Sequence, residues 1–293
     1  MARLGRPMNP SEIGTVLVSC PDRPGLVAAL SQVLFAHGVN ILASNQHTDQ
    51  QTCQFFQRIR FHAGELDRDR LDLHRAIAEV ATSLKMTWQV AYEQPLKRVA
   101  LFVSNTDHCL YDLLLRHRAG ELPCEIAVII SNHEKLEPVA RQFGIPYHTF
   151  PITRATKAGQ EAKQLALLEE QSIDLVVLAR YMQILSGEFI AHYPDRIINI
   201  HHSFLPAFAG GRPYHQARER GVKLVGATAH YATTDLDEGP IIEQDVVRVS
   251  HRHSPADLVR KGRDVERNVL SRAVRAHLED RILVFVNKTV VFD

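Results

Sequence analysis

Cysteine is scarce in this chain. Its four copies, Cys20, Cys53, Cys109 and Cys124, are scattered over 293 residues with no C-x-x-C pair, which argues against a disulfide framework or a thiolate zinc site and fits a reducing compartment. Long apolar runs are missing as well. Stretches such as IAVII (126–130) and LVVLA (175–179) fall far below the ~18 residues of a membrane-spanning helix. The opening MARLGRPMNPSEIG lacks the apolar core of a signal peptide, so a cytoplasmic chain with no membrane partner is expected. Neither sign of charge is in excess: 34 basic residues against 33 acidic ones leave a net charge of +1, too little to gather nucleic acid. A small molecule is therefore the expected partner. No internal repeat or low-complexity tract is visible. With 45% hydrophobic and 23% charged residues the chain has the material for a packed core, and its length suits two domains.

What is present is a change of rhythm near residue 93. Before it, TVLVSC (15–20) reads as a strand, PDRPG (21–25) as a turn, and Leu26 to His37 as a helix stopped by Gly38. NILASNQH (40–47) and the alternating TCQFFQRIRF (52–61) read as strands, Asp67 to Leu84 as a helix, and MTWQVAY (86–92) as a last strand. The order is βαββαβ, the ferredoxin-like arrangement. After EQPLKR (93–98), short unbroken apolar strands, VALFVS, EIAVII, LVVLA and IINI, alternate with helical stretches, the pattern of a parallel sheet covered on both faces. The fold class is thus α/β, with a ferredoxin-like domain over 1–93 and a Rossmann-like domain with a mostly parallel sheet over 94–293. In such sheets ligands sit beyond the carboxyl ends of the strands.

One such end is NIHHSFLP (199–206). Asn199 and His201 are two apart, so on a strand they point the same way, and both can donate to an oxygen that gains charge when a carbonyl is attacked. A carboxylate partner is expected in HYATTDLDEGP (230–240), where Asp235, Asp237 and Glu238 are the candidates. Sixteen histidines raise the question of a metal, but neither His201-His202 nor His251 and His253 has H-E-x-x-H or third-ligand spacing, so no metal is expected. The arginines of LVRKGRDVERNVLSRAVRAHLED (258–280) are interleaved with Asp264, Glu266, Glu279 and Asp280, while Val265, Val269, Leu270 and Val274 form an apolar stripe. That is a core-packing helix rather than a nucleic-acid surface. Trp88 is read as structural, and ILVFVNKTVVF (282–292) as a strand pair joined at Asn287 and Lys288.

NIHHSFLPAF followed by GATAHYATTDLDEGPIIEQDVVRV resembles the formyl-transfer domain shared by enzymes that use 10-formyltetrahydrofolate, over roughly the C-terminal two-thirds of the chain. The resemblance implies Asn199, His201 and Asp237 as the catalytic set. It places ARYMQILS (179–186) at the pterin, so that Arg180, Tyr181, Met182, Gln183 and Leu185, with His202 and Ser203, are the implied substrate-binding positions. Branches that formylate glycinamide ribonucleotide carry a glycine-rich phosphate loop where this chain has VSNTDHCLYDLL (103–114), and proline where it has His202. With SNHEKLEPVARQFGIPY (131–147), the layout is similar to the formyltetrahydrofolate deformylase family, in which water accepts the formyl group. This implies release of formate, for purine synthesis and folate balance, with no cofactor or metal. The alternative is formyl transfer to an amine such as glycinamide ribonucleotide or an amino sugar. DRPGLVAALSQVLFAHGVNI (22–41) resembles the opening of an ACT regulatory domain. That implies a homo-oligomer and a small amino-acid effector at Asp22, Arg23, Gly25, Gly38 and Asn40, although TDQQTCQFF (48–56) lacks the glycine that many ACT segments place before the third strand.

Overall fold

The turn at Pro21–Gly25 separates two elements of unlike periodicity. Before it, β1 (Ile13–Pro21) is buried along nearly its whole length; after it, α1 (Leu26–Ala36) turns Leu26, Leu30 and Leu34 to the core at four-residue spacing. Gly25 opens the helix at φ 92°, a backbone region that glycine enters without the Cβ penalty. In the computed structural model of the chain, which describes residues 13–63, 70–206 and 213–293, β2 (Asn40–Asp49), β3 (Gln54–His62), α2 (Arg70–Leu84) and β4 (Thr87–Tyr92) complete the expected βαββαβ order. The start of the second helix, expected at Asp67, lies outside the described residues. The four strands form an antiparallel sheet in the order β2-β3-β1-β4. Its core joins Phe55, Ile59 and Phe61 to Leu30 and Leu34 of α1 and to Leu73 and Ile77 of α2. A Cβ on Gly14 would lie 2.4 Å from the Phe61 ring, so this central strand needs glycine where the ring crosses it.

The chain divides into two units, 1–96 with 279–283 and 290–293, and 97–278 with 284–289. The division falls inside EQPLKR, and parts of the C-terminal tail, read above as belonging wholly to the second domain, group with the first unit.

In the second unit, β5 (Lys97–Val103), β6 (Cys124–Ser131), β7 (Tyr147–Thr149), β8 (Leu175–Leu178) and β9 (Ile197–His201) run parallel, and β10 (Leu224–Tyr231) and β11 (Ile241–Arg248) add an antiparallel edge. The sheet order is β11-β10-β9-β8-β5-β6-β7. The direction of strand addition reverses between β5 and β8, which opens a crevice at their carboxyl ends. The helices are α3 (His108–Arg118), α4 (Glu137–Phe143), α5 (Lys157–Glu170), α6 (Gly187–His192), α7 (Pro213–Glu219) and α8 (Pro255–Leu278). The short β7 and α6 and the strand pair β10–β11 carry too little periodicity to have been read from the apolar pattern alone. Phe102 of β5 packs edge-on against Phe189 of α6 and against Tyr181, anchoring the segment after β8. On α8 the expected stripe Val265, Val269, Leu270 and Val274 is buried. Glu266, read as part of a charged face, is buried too, at 1% exposure. The tail forms β12 (Ile282–Phe285) and β13 (Lys288–Val291). They turn at Val286–Asn287, one residue earlier than expected, with Val286 at φ 55°.

Candidate active site

The site begins with the register of two strands. β9 lies between β8 and β10, and Asn199 pairs directly with His230 of β10, as His201 does with Thr228. Residues opposite one another in a sheet share a face, so the Asn199 amide meets the His230 ring: Nδ2 lies 3.1 Å from Nε2. The other ring nitrogen, Nδ1, lies 2.9 Å from the Tyr231 carbonyl. A carbonyl only accepts, so Nδ1 donates its hydrogen there, and the amide nitrogen of Asn199 is held against the other ring nitrogen.

The loop after β10 brings the carboxylate. The Tyr231 N–H donates to the Pro240 carbonyl at 2.9 Å, closing the loop at its base. A Cβ on Gly239 would lie 1.8 Å from the Tyr231 oxygen, so only glycine permits this closure. The Thr233 hydroxyl donates to the Asp235 carbonyl at 3.0 Å, and the Asn287 amide to the Glu238 carbonyl at 2.8 Å. Between them Asp237 stands at φ 60°, a region that Asp tolerates better than most residues. Its Oδ2 lies 3.2 Å from His201 Nδ1 and its Oδ1 3.7 Å from His230 Nε2. Hydrogen bonding to these two imidazoles holds the Asp237 carboxyl well below the usual carboxylate range. His201 is 5% exposed, and its Nε2 is buried with no hydrogen-bond partner in the protein. Of the three acidic candidates in the loop, then, Asp237 is the one that reaches the imidazole.

His202 does not diverge from its neighbour as adjacent strand residues ordinarily would. The strand ends at His201, and the two rings lie side by side, 5.2 Å between centroids. Burial, then the nearby Arg180 cation, lowers the His202 pKa to about 4, so this ring is neutral near pH 7. Ser203 is buried, and its carbonyl accepts the Thr228 hydroxyl at 2.9 Å.

Asn199, His230 and Asp237 open on a cleft with Leu178, Ile184, Leu185, Ile190 and Leu236 among its apolar walls and Gln183 at its edge. Such a mixture suits a flat, partly apolar ligand with a few polar edges. Of the positions expected to bind substrate, Gln183 and Leu185 line this cleft. Tyr181 instead turns into the core, where it is 4% exposed and accepts from Gln164 Nε2 at 3.1 Å. A buried phenol needs such a partner. Met182 is 62% exposed and is not among the lining residues. Arg180, at φ 66°, sends its guanidinium toward Glu266, with Nε 3.5 Å from Oε2. His202 and Ser203 lie beside His201 and not on the cleft wall. His230 was missed in the sequence; its one signal is a histidine near the end of a strand, just ahead of the acidic loop.

Among the described residues, metal-ligating types meet at His108, Cys109 and Glu266, whose donor atoms lie within 4.8 Å of one another. The Glu266 carboxylate there is already paired with His108 Nε2 at 2.8 Å and with Arg180, and burial raises the Cys109 thiol pKa well above its usual value. A cation would have to displace the guanidinium and deprotonate the thiol. In the first unit, Asp22, Arg23 and Gly25 lie at the start of α1 and Gly38 and Asn40 beyond its end. An 11-residue helix, about 16 Å long at ~1.5 Å per residue, separates them, so one chain does not bring the five together.

Comparison with known proteins accounts for both units. Residues 97–274 match the formyl transferase family model and residues 14–73 the ACT domain model, so the class is a formyl transferase fold joined to an ACT domain. The chain is 56% identical over 278 residues to a formyltetrahydrofolate deformylase of Synechocystis, covering 95% of this chain and 98% of that protein. It is similar to the crystal structure of a formyltetrahydrofolate deformylase from Pseudomonas syringae pv. tomato, with a TM-score of 0.93, 48% identity, and coverage of 96% of this chain and 94% of that one. A glycinamide ribonucleotide transformylase from Symbiobacterium toebii is more distant, with a TM-score of 0.64 and 32% identity, over 69% of this chain and 97% of that one. The chain belongs to the formyltetrahydrofolate deformylase family.

Proposed function

We propose that the chain hydrolyses 10-formyltetrahydrofolate to formate and tetrahydrofolate. The observation that carries this reading is the 3.2 Å contact of Asp237 with His201 beside an amide held by His230. The pterin enters the cleft walled by Leu178, Leu185 and Ile190, and the formyl oxygen lies toward the Asn199 NH₂. The depressed Asp237 carboxyl is a weak base, and its part is to orient the ring. With Nδ1–H given to Asp237, the Nε2 of His201 takes a proton from water as the water oxygen bonds to the formyl carbon, and Asp237 stabilises the imidazolium that forms. Asn199 stabilises the oxyanion. The imidazolium then protonates the folate nitrogen, the C–N bond breaks, and formate leaves. This assigns His201 to proton transfer, where the sequence had suggested a donor to the oxyanion.

Transfer to an amine is the less supported reading, because the relatives named for it are the more distant ones. No metal or organic cofactor takes part in the proposed steps, which move only protons and a formyl group. A cytoplasmic setting completes the reading; no described helix is long and apolar enough to cross a membrane. The ACT match supports a small amino-acid effector, and the separation of Asp22–Gly25 from Gly38–Asn40 supports an effector site shared between two copies in a homo-oligomer. The experiment is His201→Ala in a formate-release assay. Turnover should fall by about 10²–10⁴-fold while the circular dichroism spectrum is kept; near-normal turnover would overturn the assignment.

A further inference from the structure

The buried group behind His202 has no part in the steps above, yet it adjoins them. The pocket reaches Asn199 and Asp237; Asp237 touches His201, the His201 and His202 rings lie tilted 5.2 Å apart, and His202 lies in the field of Arg180 and Glu266. Arg180 follows β8 and His108 follows β5, so with His201 at the end of β9 these side chains share the carboxyl ends of three neighbouring strands. Glu266 reaches them from α8. Its side chain is 2% exposed and that of His108 9%. Thr106 Oγ1, His108 Nδ1 and Arg180 Nε are buried there with no hydrogen-bond partner in the protein.

A carboxylate this deep is costly to desolvate, and Glu266 is held there by His108 and Arg180. We infer that the Glu266–His108–Arg180 cluster fills the acceptor side of the site, keeping that side to water and refusing an amine. The inference deepens the hydrolytic reading and rests on it. A nucleophile must approach the formyl carbon from the side that the folate does not occupy, and the imidazole of His108 takes up volume there. An amine also arrives largely as a cation. Glu266 is already engaged by His108 and Arg180, so no free carboxylate remains to receive it, and the permanent charge of Arg180 repels it. Water meets neither obstacle, and a buried group without a partner, such as the Thr106 hydroxyl, can hold it.

The test is a partition measurement on the full chain. Protein, 10-formyltetrahydrofolate and a fixed excess of glycinamide are incubated, and formate and N-formylglycinamide are quantified by mass spectrometry. One methylene's worth of pocket space changes selectivity by roughly 10–200-fold, so His108→Ala, which opens more than that, should raise the ratio of formylated amine to formate by about tenfold or more. His108→Phe, which refills the volume, should return toward the wild-type ratio. Glu266→Gln keeps shape but takes the carboxylate away from Arg180 and His108, and is expected to raise the ratio less. A wild-type ratio in both His108→Ala and Glu266→Gln, with native circular dichroism, would overturn the inference. Wild-type protein that releases no formate without amine would instead sink the hydrolytic reading itself.

Discussion

Replacing Asp237 by Asn removes a charge and little else. Side-chain size is kept, and the amide oxygen can still accept from His201 Nδ1, so the ring keeps its place. What is lost is the attraction between carboxylate and imidazolium in the transition state. At the observed 3.2 Å and an effective dielectric of about 20, that attraction is ~5 kcal/mol before solvent and the retained hydrogen bond offset part of it. A net loss of about 3–4 kcal/mol corresponds to roughly 10²–10³-fold in kcat. Because the lost interaction belongs to the transition state, KM should stay within about threefold. Steady-state formate release across substrate concentrations measures both constants. The same substitution has a signature in stability. The Asp237 pKa is depressed in the folded chain, so its stabilising effect is complete above the unfolded value of about 3.9 and is lost as the pH falls toward the folded value. The stability difference between wild type and Asp237→Asn should therefore change below about pH 4, in the direction of a relatively weaker wild type. A kcat within threefold of wild type would refute the argument, since no electrostatic role would then remain for this carboxylate.

Two further outcomes follow from neighbouring geometry. Gly239→Ala should cost about tenfold or more in kcat, because a Cβ 1.8 Å from the Tyr231 carbonyl must displace the loop that carries Asp237; wild-type kinetics would show that the loop absorbs the shift elsewhere. His277, whose Nδ1 lies 2.8 Å from the Tyr231 hydroxyl, has its pKa lowered to about 3, first by burial and then by Lys97. The unfolded chain binds this proton near pH 6.5 and the folded chain does not, so the stability His277 contributes is present above that pH and fades as the pH falls toward 3. His277→Gln should flatten the unfolding free energy against pH in that window by up to ~1.4 kcal/mol per pH unit; an unchanged slope in denaturant titrations would contradict the burial argument.

The parts of the site that could be read in advance are those that depend on local geometry. Asn199 and His201 were legible because strand side chains alternate with period two; the turn-rich loop offered Asp235, Asp237 and Glu238 alike, and only the family resemblance singled out Asp237. His230 was not legible, because its role arises from cross-strand register with Asn199, which no single segment reveals. The run from Arg180 to Leu185 has neither helical nor strand period. Nothing local says that Tyr181 turns inward to Gln164 while Gln183 turns to the cleft. Glu266 was misread for a related reason. It sits among exposed helical ion pairs such as Arg260 with Asp257 and Arg267 with Asp264, and only the packing of α8 buries it.

Most direct is an oxygen-label experiment. The chain is incubated with 10-formyltetrahydrofolate in ¹⁸O-enriched water with no amine present, and the formate is weighed by mass spectrometry. Attack by water on the formyl carbon predicts formate and tetrahydrofolate in equal amounts, each formate carrying one oxygen from the solvent. Formate without label, or none until an amine is supplied, would contradict the account.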